Sequence, residues 1–402
     1  MDAPRPRASD GRALAWLVGA TLLPLPWLLA EALGGLGLGP EVVSVLAGLA
    51  ILGGAFLLSW ATELAERDIP QALALLVLAL VSVLPEYAVD LHFAIRAAHD
   101  PQYAHYAVAN MTGANRLLIG VGWAVVVLVA LRGRPRKSAL EIHPRHRLEV
   151  RFLLLATLFS FVIPLTGTLN LLDAVVLFGL FFWYAWVAAH GDSEHVVLVG
   201  PASWLDARVD TRGRRLVSGA MLVFAAYAIF VSAEPFAEGL VHIGRNYAVD
   251  EFLLVQWVAP LASESPEFTI ALLFALRGRG PLAIGALISA KVNQWTLLVG
   301  ALPVAYGISG RTTAGLPLDA RQTEELLLTS AQSFLAAVVI CDLRFSRTEA
   351  VLLAVLFGIQ LLFPSREVRL AFAAVYMALA AGILLSSSAR RSALLAVLRG
   401  SK

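Results

Sequence analysis

Long apolar stretches separated by short polar breaks run the length of this chain, a pattern that predicts successive membrane-crossing helices. The first run covers about 13–32, behind Arg5, Arg7 and Arg12. Ala30-Glu31-Ala32 imitates a signal-peptide cleavage site. The run nevertheless reads as a retained helix, because it is long, holds Pro24 and Pro26, and leads directly into another span. Further spans are expected at about 41–64, 70–97, 104–131, 149–167 and 169–190. After a polar segment they resume at about 216–240, 249–276, 281–307, 323–342, 345–363 and 366–387. About twelve spans make this an all-α polytopic membrane protein.

The polar breaks set the orientation. The loop 132–151 holds Arg132, Arg134, Arg136, Lys137, Arg145, Arg147 and Arg151, which places it in the cytoplasm. Counting spans outward from there, both termini fall inside too, as do the 191–215 segment and the turns at Arg277/Arg279 and Arg344/Arg347. Segments 98–103, 242–248 and 308–322 fall outside. The 191–215 segment carries Gly200-Pro201 and a basic cluster of Arg208, Arg212, Arg214 and Arg215, and reads as a cytoplasmic hinge between two halves. The expected localisation is an integral, multi-pass protein of the plasma membrane.

Composition narrows the function classes. The chain is 58% hydrophobic and 15% charged, with a mean hydropathy of +0.75, which excludes an ordinary soluble domain. The net charge of +2 adds little, because the basic residues are clustered. The single cysteine, Cys341, rules out an internal disulfide and reads as a small core residue. His143 and His146 sit in the basic loop and read as solvated rather than metal-binding. No zinc spacing, Walker loop or dinucleotide fingerprint is present. The expectation is a non-enzyme with no cofactor and no nucleic-acid partner, embedded in membrane lipid.

One costly device occurs twice. Aligning 82–96 with 263–277 without a gap matches Ser82, Pro85, Glu86, Leu91, Phe93, Ala94 and Arg96 to Ser263, Pro266, Glu267, Leu272, Phe274, Ala275 and Arg277. An ionised carboxylate at a membrane helix centre costs about 2.5–3.5 kcal/mol on insertion scales. Pro85 and Pro266 are expected to break their helices and free a carbonyl one turn earlier. At 1.5 Å per residue, Glu86 lies about 24 Å and Glu267 about 27 Å along their helices, near the midplane. The two helices stand an odd number of spans apart, so the second copy runs inverted, as in transporters that bind ions where two repeats meet. Asp90 follows Glu86 by one turn, and Glu264 precedes Glu267 by three residues, so each can share its neighbour's face. Ser82 and Ser263 either coordinate a cation or satisfy freed carbonyls. Asn110 and Asn115 either supply amide oxygens or hold helices together. Lys291 and Arg116 read as counter-charges for the acids.

These residues resemble the calcium/cation antiporter superfamily, which includes sodium/calcium and proton/calcium exchangers. That family carries two inverted five-helix repeats, each with a Gly-Thr-Ser-x-Pro-Glu helix followed by a Gly-Asn-x-x-Gly-Ser-Asn helix. The first helices here give Val81-Ser82-Val83-Leu84-Pro85-Glu86 and Ala262-Ser263-Glu264-Ser265-Pro266-Glu267. The partner helices give Ala109-Asn110-Met111-Thr112-Gly113-Ala114-Asn115 and Gly285-Ala286-Leu287-Ile288-Ser289-Ala290-Lys291. The resemblance implies two inverted five-helix repeats of sodium/calcium exchanger type plus an extra helix at each end. The corresponding segments are 1–40 (extra helix), 41–190 (first repeat), 191–215 (linker), 216–363 (second repeat) and 364–402 (extra helix and basic tail). It departs from the motif at Val83 and Glu264, at Ala114 and Ala290, at Leu118 and Gln294, and at Lys291, which replaces an asparagine.

The function implied is secondary active cation antiport, sodium/calcium or proton/cation, by alternating access at paired midplane glutamates. Inorganic cations (calcium, sodium or protons) would be the transported ions. Lys291, paired with Glu264 or Glu267, would act as a built-in cation. A scaffold or sensor that keeps the exchanger fold without transport is the contrasting reading, favoured by the missing serines. Ser263 and Lys291 are also the residue types of a hydrolase dyad, with no oxyanion or metal motif beside them.

Overall fold

The computed structural model describes residues 8–34, 36–68, 83–133, 138–190 and 198–400. Among them, nine helices are long and apolar enough to cross a membrane, and the chain is an integral, multi-pass membrane protein. In the remaining three of the twelve expected spans the described residues are also largely helical. Residues Leu84–Ala97 form α4, Glu251–Leu276 form α12, and Arg347–Leu362 form α16. The first is 14 residues long, the second carries three acids, and the last is 16 residues long.

The chain folds as two compact units. The first comprises Met1–Val89, Ala189–Leu254 and Leu261–Pro266. It holds α1 (Ala8–Leu22), α2 (Leu25–Ala32), α3 (Pro40–Glu66), α10 (Gly200–Asp206) and α11 (Thr211–Tyr247). The first apolar run is thus a helix interrupted before Pro24, not one rod. The long α11 lies along α3, and small residues let them approach: Gly48 faces the Phe236 ring and Gly54 faces Ile229. Of the 191–215 segment, residues 198–215 are described. Its described part contains α10, and α11 already begins at Thr211 because Asp210 caps it, accepting from the Gly213 N–H at 2.8 Å. The apolar run had marked only where that helix becomes greasy.

The second unit comprises Asp90–Ala188, Val255–Pro260 and Glu267–Lys402. It holds α5 (Gln102–Leu117), α6 (Ala124–Ala130), α7 (Arg147–Ser160), α8 (Ile163–Thr166) and α9 (Leu171–Ala189). From the later part of the chain come α13 (Gly280–Asn293), α14 (Val299–Gly310), α15 (Ala320–Ile340), α16, α17 (Arg366–Ser386) and α18 (Ser388–Arg399). The expected basic tail is therefore a helix, α18, with Arg390 paired to Asp342 (3.3 Å) and Glu349 (2.5 Å). Helix α15 is the buried centre of this unit and packs on α17, α7 and α5.

Two short ribbons tie loops together in the second unit. Strand β1 (Ala139–Glu141) pairs antiparallel with β4 (Arg344–Ser346), and β2 (Thr168–Leu169) pairs with β3 (Leu316–Pro317). The first ribbon joins two loops that the arginine count put on one face, and the second joins the 308–322 loop, placed on the other, to the turn at 167–169.

Two expectations about local structure change. Helix α12 continues through Pro266, so this proline does not break it. One ladder bond is lost, the Ser265 hydroxyl bonds back to the Leu261 carbonyl, and the flanking turns hold the helix together. Pro85 falls in the first turn of α4, and the residues before Val83 that the expected break concerns lie outside the described residues. His146 is 5% exposed rather than solvated, its ring lying where a side chain at Gly285 would stand.

Candidate functional site

In the first unit, Glu86 lies in the opening turn of α4, where unpaired backbone N–H groups and the helix dipole favour a carboxylate. It is 1% exposed and hydrogen-bonds the Ser263 side chain and its own backbone N–H. Its Oε2 is buried with no hydrogen-bond partner among the described residues. Ser263 and Glu264 are both buried on α12. Ser82 lies outside the described residues.

In the second unit, Asp90 is fully buried one helical turn beyond Glu86 along α4. Its Oδ1 accepts from Asn110 Nδ2 at 2.8 Å. That bond leaves Asn110 Oδ1 buried and without a hydrogen-bond partner among the described residues. Glu267, just past Pro266 on α12, is partly buried. Asn115 turns its amide N–H to the Met111 carbonyl (2.8 Å), which presents Oδ1 to Lys291. The Lys291 ammonium donates to that oxygen at 2.6 Å and to the Asn115 carbonyl at 3.3 Å, and stands 4.4 Å from the centre of the Trp295 ring.

Arg116 takes a different partner from the acids singled out in the sequence. Its Nη2 lies 2.6 Å from Glu325 Oε2, with both side chains 3% exposed. Gln256 Nε2 donates to the same Glu325 oxygen (3.1 Å) and to Thr112 Oγ1 (3.3 Å). Gln332 donates to the Arg116 carbonyl (3.3 Å), and the guanidinium lies over the Trp257 ring. Beside Glu325, Glu324 is held by Arg366 (2.9 Å) and Arg369 (2.7 Å). Sequence reasoning missed Glu324, Glu325, Gln256 and Gln332. The available signal was a pair of adjacent acids inside an apolar run, which no second copy emphasised.

The partner helices share a further feature. Aligning 109–115 with 285–291 makes Leu118 equivalent to Gln294, and a π-helical turn starts at each: Leu118–Trp123 and Gln294–Leu298. Widened turns of this kind recur at functional positions in helices. Among the described residues, no three acid, histidine or cysteine side chains gather to hold a metal ion by themselves. A cation bound here therefore needs amide, hydroxyl or backbone oxygens as well.

The family model described as "Sodium/calcium exchanger protein" matches residues 41–189 and 217–366. The chain belongs to this family. Its two matched regions are the exchanger repeats, and α1, α2 and most of α17 and α18 lie beyond them. Among solved structures, this exchanger-family chain is similar to a crystal structure of the H+/Ca2+ exchanger CAX. The two are 43% identical, the match covers 97% of this chain and 98% of that one, and the TM-score is 0.91. The fold is also shared with the Ca2+/H+ antiporter protein YfkE (13% identity, 86% and 98% coverage, TM-score 0.64). The sodium-calcium exchanger NCX_Mj matches at 18% identity, 81% and 98% coverage and a TM-score of 0.54. Comparison with curated proteins finds no match.

Proposed function

We propose that the protein is a secondary antiporter that exchanges calcium for protons by alternating access, with both termini in the cytoplasm. The observation that carries this reading is the 43% identity, over 97% of the chain, to the H+/Ca2+ exchanger CAX. Glu86 and Glu267, at equivalent places in the two repeats, take the cation and the protons in turn. A carboxylate buried in a membrane protein is costly to leave ionised and alone, so it holds either a proton or a cation. The open Oε2 of Glu86 supports that role. So do the Ser263 hydroxyl and the Asn110 amide oxygen, which are neutral donors suited to a hard cation. Asp90 and Glu264 add charge along the same two helices, and Asn110 fixes the Asp90 carboxylate.

Glu86→Gln and Glu267→Gln test the reading, since glutamine keeps the shape and removes both charge and exchangeable proton. Each variant should fold in the membrane and lose more than nine-tenths of calcium uptake into proteoliposomes. Parent-like uptake by both variants would refute the assignment.

A further inference from the structure

We propose that Lys291 is a specificity-determining residue that closes this antiporter to sodium, its ammonium standing where a monovalent cation would bind at Asn115. The inference rests on the antiporter reading above and names a restriction on the ions that it exchanges.

The geometry is that of an occupied cation position. Lys291 is fully buried, and two oxygens of one residue, Asn115 Oδ1 at 2.6 Å and the backbone carbonyl at 3.3 Å, converge on its nitrogen. The Trp295 ring covers another side at 4.4 Å, and an aromatic face favours a cation. The orientation of Asn115 is set independently of the lysine, because its amide N–H is spent on the Met111 carbonyl, leaving the oxygen to face the ammonium.

The repeat alignment makes the position informative. Lys291 and Asn115 are equivalent residues of the two partner helices, and π turns begin three residues beyond each. Equivalent residues that touch one another lie where the two repeats meet. Asparagine at both places would bring two amide oxygens and a backbone carbonyl together, all hard donors of the kind that bind group 1 and group 2 cations. The lysine keeps the oxygens of one side and fills the gap with a charge tethered to the chain. A free cation would have to displace the ammonium from those oxygens and then tolerate it nearby in a low-dielectric interior. Sodium cannot do so, whereas protons travel on carboxylates and do not need these oxygens.

A purely structural lysine would tie α5 to α13 without affecting ion choice, so the deciding readout is the response to sodium. Purified parent protein should keep the same melting temperature when choline is replaced by sodium, and its calcium uptake should be indifferent to the same exchange. Lys291→Asn should gain a sodium-dependent rise of about 2 °C and a sodium competition against calcium uptake that the parent lacks. Lys291→Gln, which also supplies an amide oxygen, should behave alike and serves if the shorter asparagine folds poorly. Removing the opposing oxygen in the Lys291→Asn/Asn115→Ala double variant should abolish the gain. Sodium stabilisation of the parent would overturn the proposal, as would folded asparagine and glutamine variants that ignore sodium. If neither variant folds, the parent decides: indifference to sodium supports the proposal and a response refutes it. The melting measurement needs no transport, so failure of the antiporter reading, seen as a parent that moves no calcium, is distinguishable from failure here.

Discussion

The buried pair of Arg116 and Glu325 shows how much of this interior a repeat motif leaves unstated. Arg116 was recognisable as a charge needing a partner, but Glu325 lies far along the chain and has no copy in the other repeat. Breaking such a pair from one side leaves an uncompensated buried charge, which costs about 3–5 kcal/mol. Glu325→Gln should therefore lower the unfolding midpoint sharply, and Arg116→Met should do so independently. The double variant should recover part of the loss, and strict additivity in that cycle would contradict direct coupling. A second charged cluster sits at the start of α11, ahead of its apolar run, where Arg214 bonds Asp68 at 2.7 and 2.9 Å and joins Asp206 at 3.0 Å. The Arg214 hydrogen bond holds the Asp68 carboxyl below its usual range. A depressed carboxyl contributes stability above its unfolded value of about 3.9, which is lost as the pH falls through the lower folded value. Asp68→Asn should then melt slightly below the parent at neutral pH, with the two converging in acid below about pH 4. A constant gap across that range would show that the carboxylate charge is irrelevant.

At the scale of elements, prolines and glycines work as complementary pairs across helices. Pro260 has no N–H for the Gln256 carbonyl, and Gly113 on α5 lies against that same oxygen, so closely that a Cβ would collide with it. The sequence places Gly113 in the partner-helix motif but does not give its partner, because nothing in a local pattern says which backbone a glycine will meet. Gly113→Ala should cost about 1–3 kcal/mol in thermal unfolding, since the obstructing atom is backbone and cannot step aside. Gly285→Ala meets the His146 ring, a side chain that can rotate, and should cost less. The reverse order would mean that α5 shifts freely and that the close approach is incidental. The π turns at Leu118 and Gln294 were not legible at all, because a π turn leaves no hydropathy or residue-type signature that separates it from ordinary helix. Pro266 was over-read for a related reason: proline weakens a helix ladder but does not end a helix whose neighbours hold it.

For the whole molecule, the sequence was far more explicit. Twelve apolar runs, a doubled Ser-x-x-Pro-Glu stretch and clustered arginines specify an all-α membrane protein of two exchanger repeats, which the family match and the CAX likeness show. A bilayer leaves few ways to satisfy a backbone, which is why fold is written so plainly in hydropathy. Side-chain partners are not, since Asn115 with Lys291 and Arg116 with Glu325 join residues brought together only by folding. The proposed exchange of calcium for protons can be measured in proteoliposomes free of sodium and loaded with a pH-sensitive dye. Calcium added outside should enter and drive protons out in the same interval, at a rate that an imposed outward proton gradient increases. Calcium uptake that requires a sodium gradient, or that proceeds with no proton movement, would contradict it.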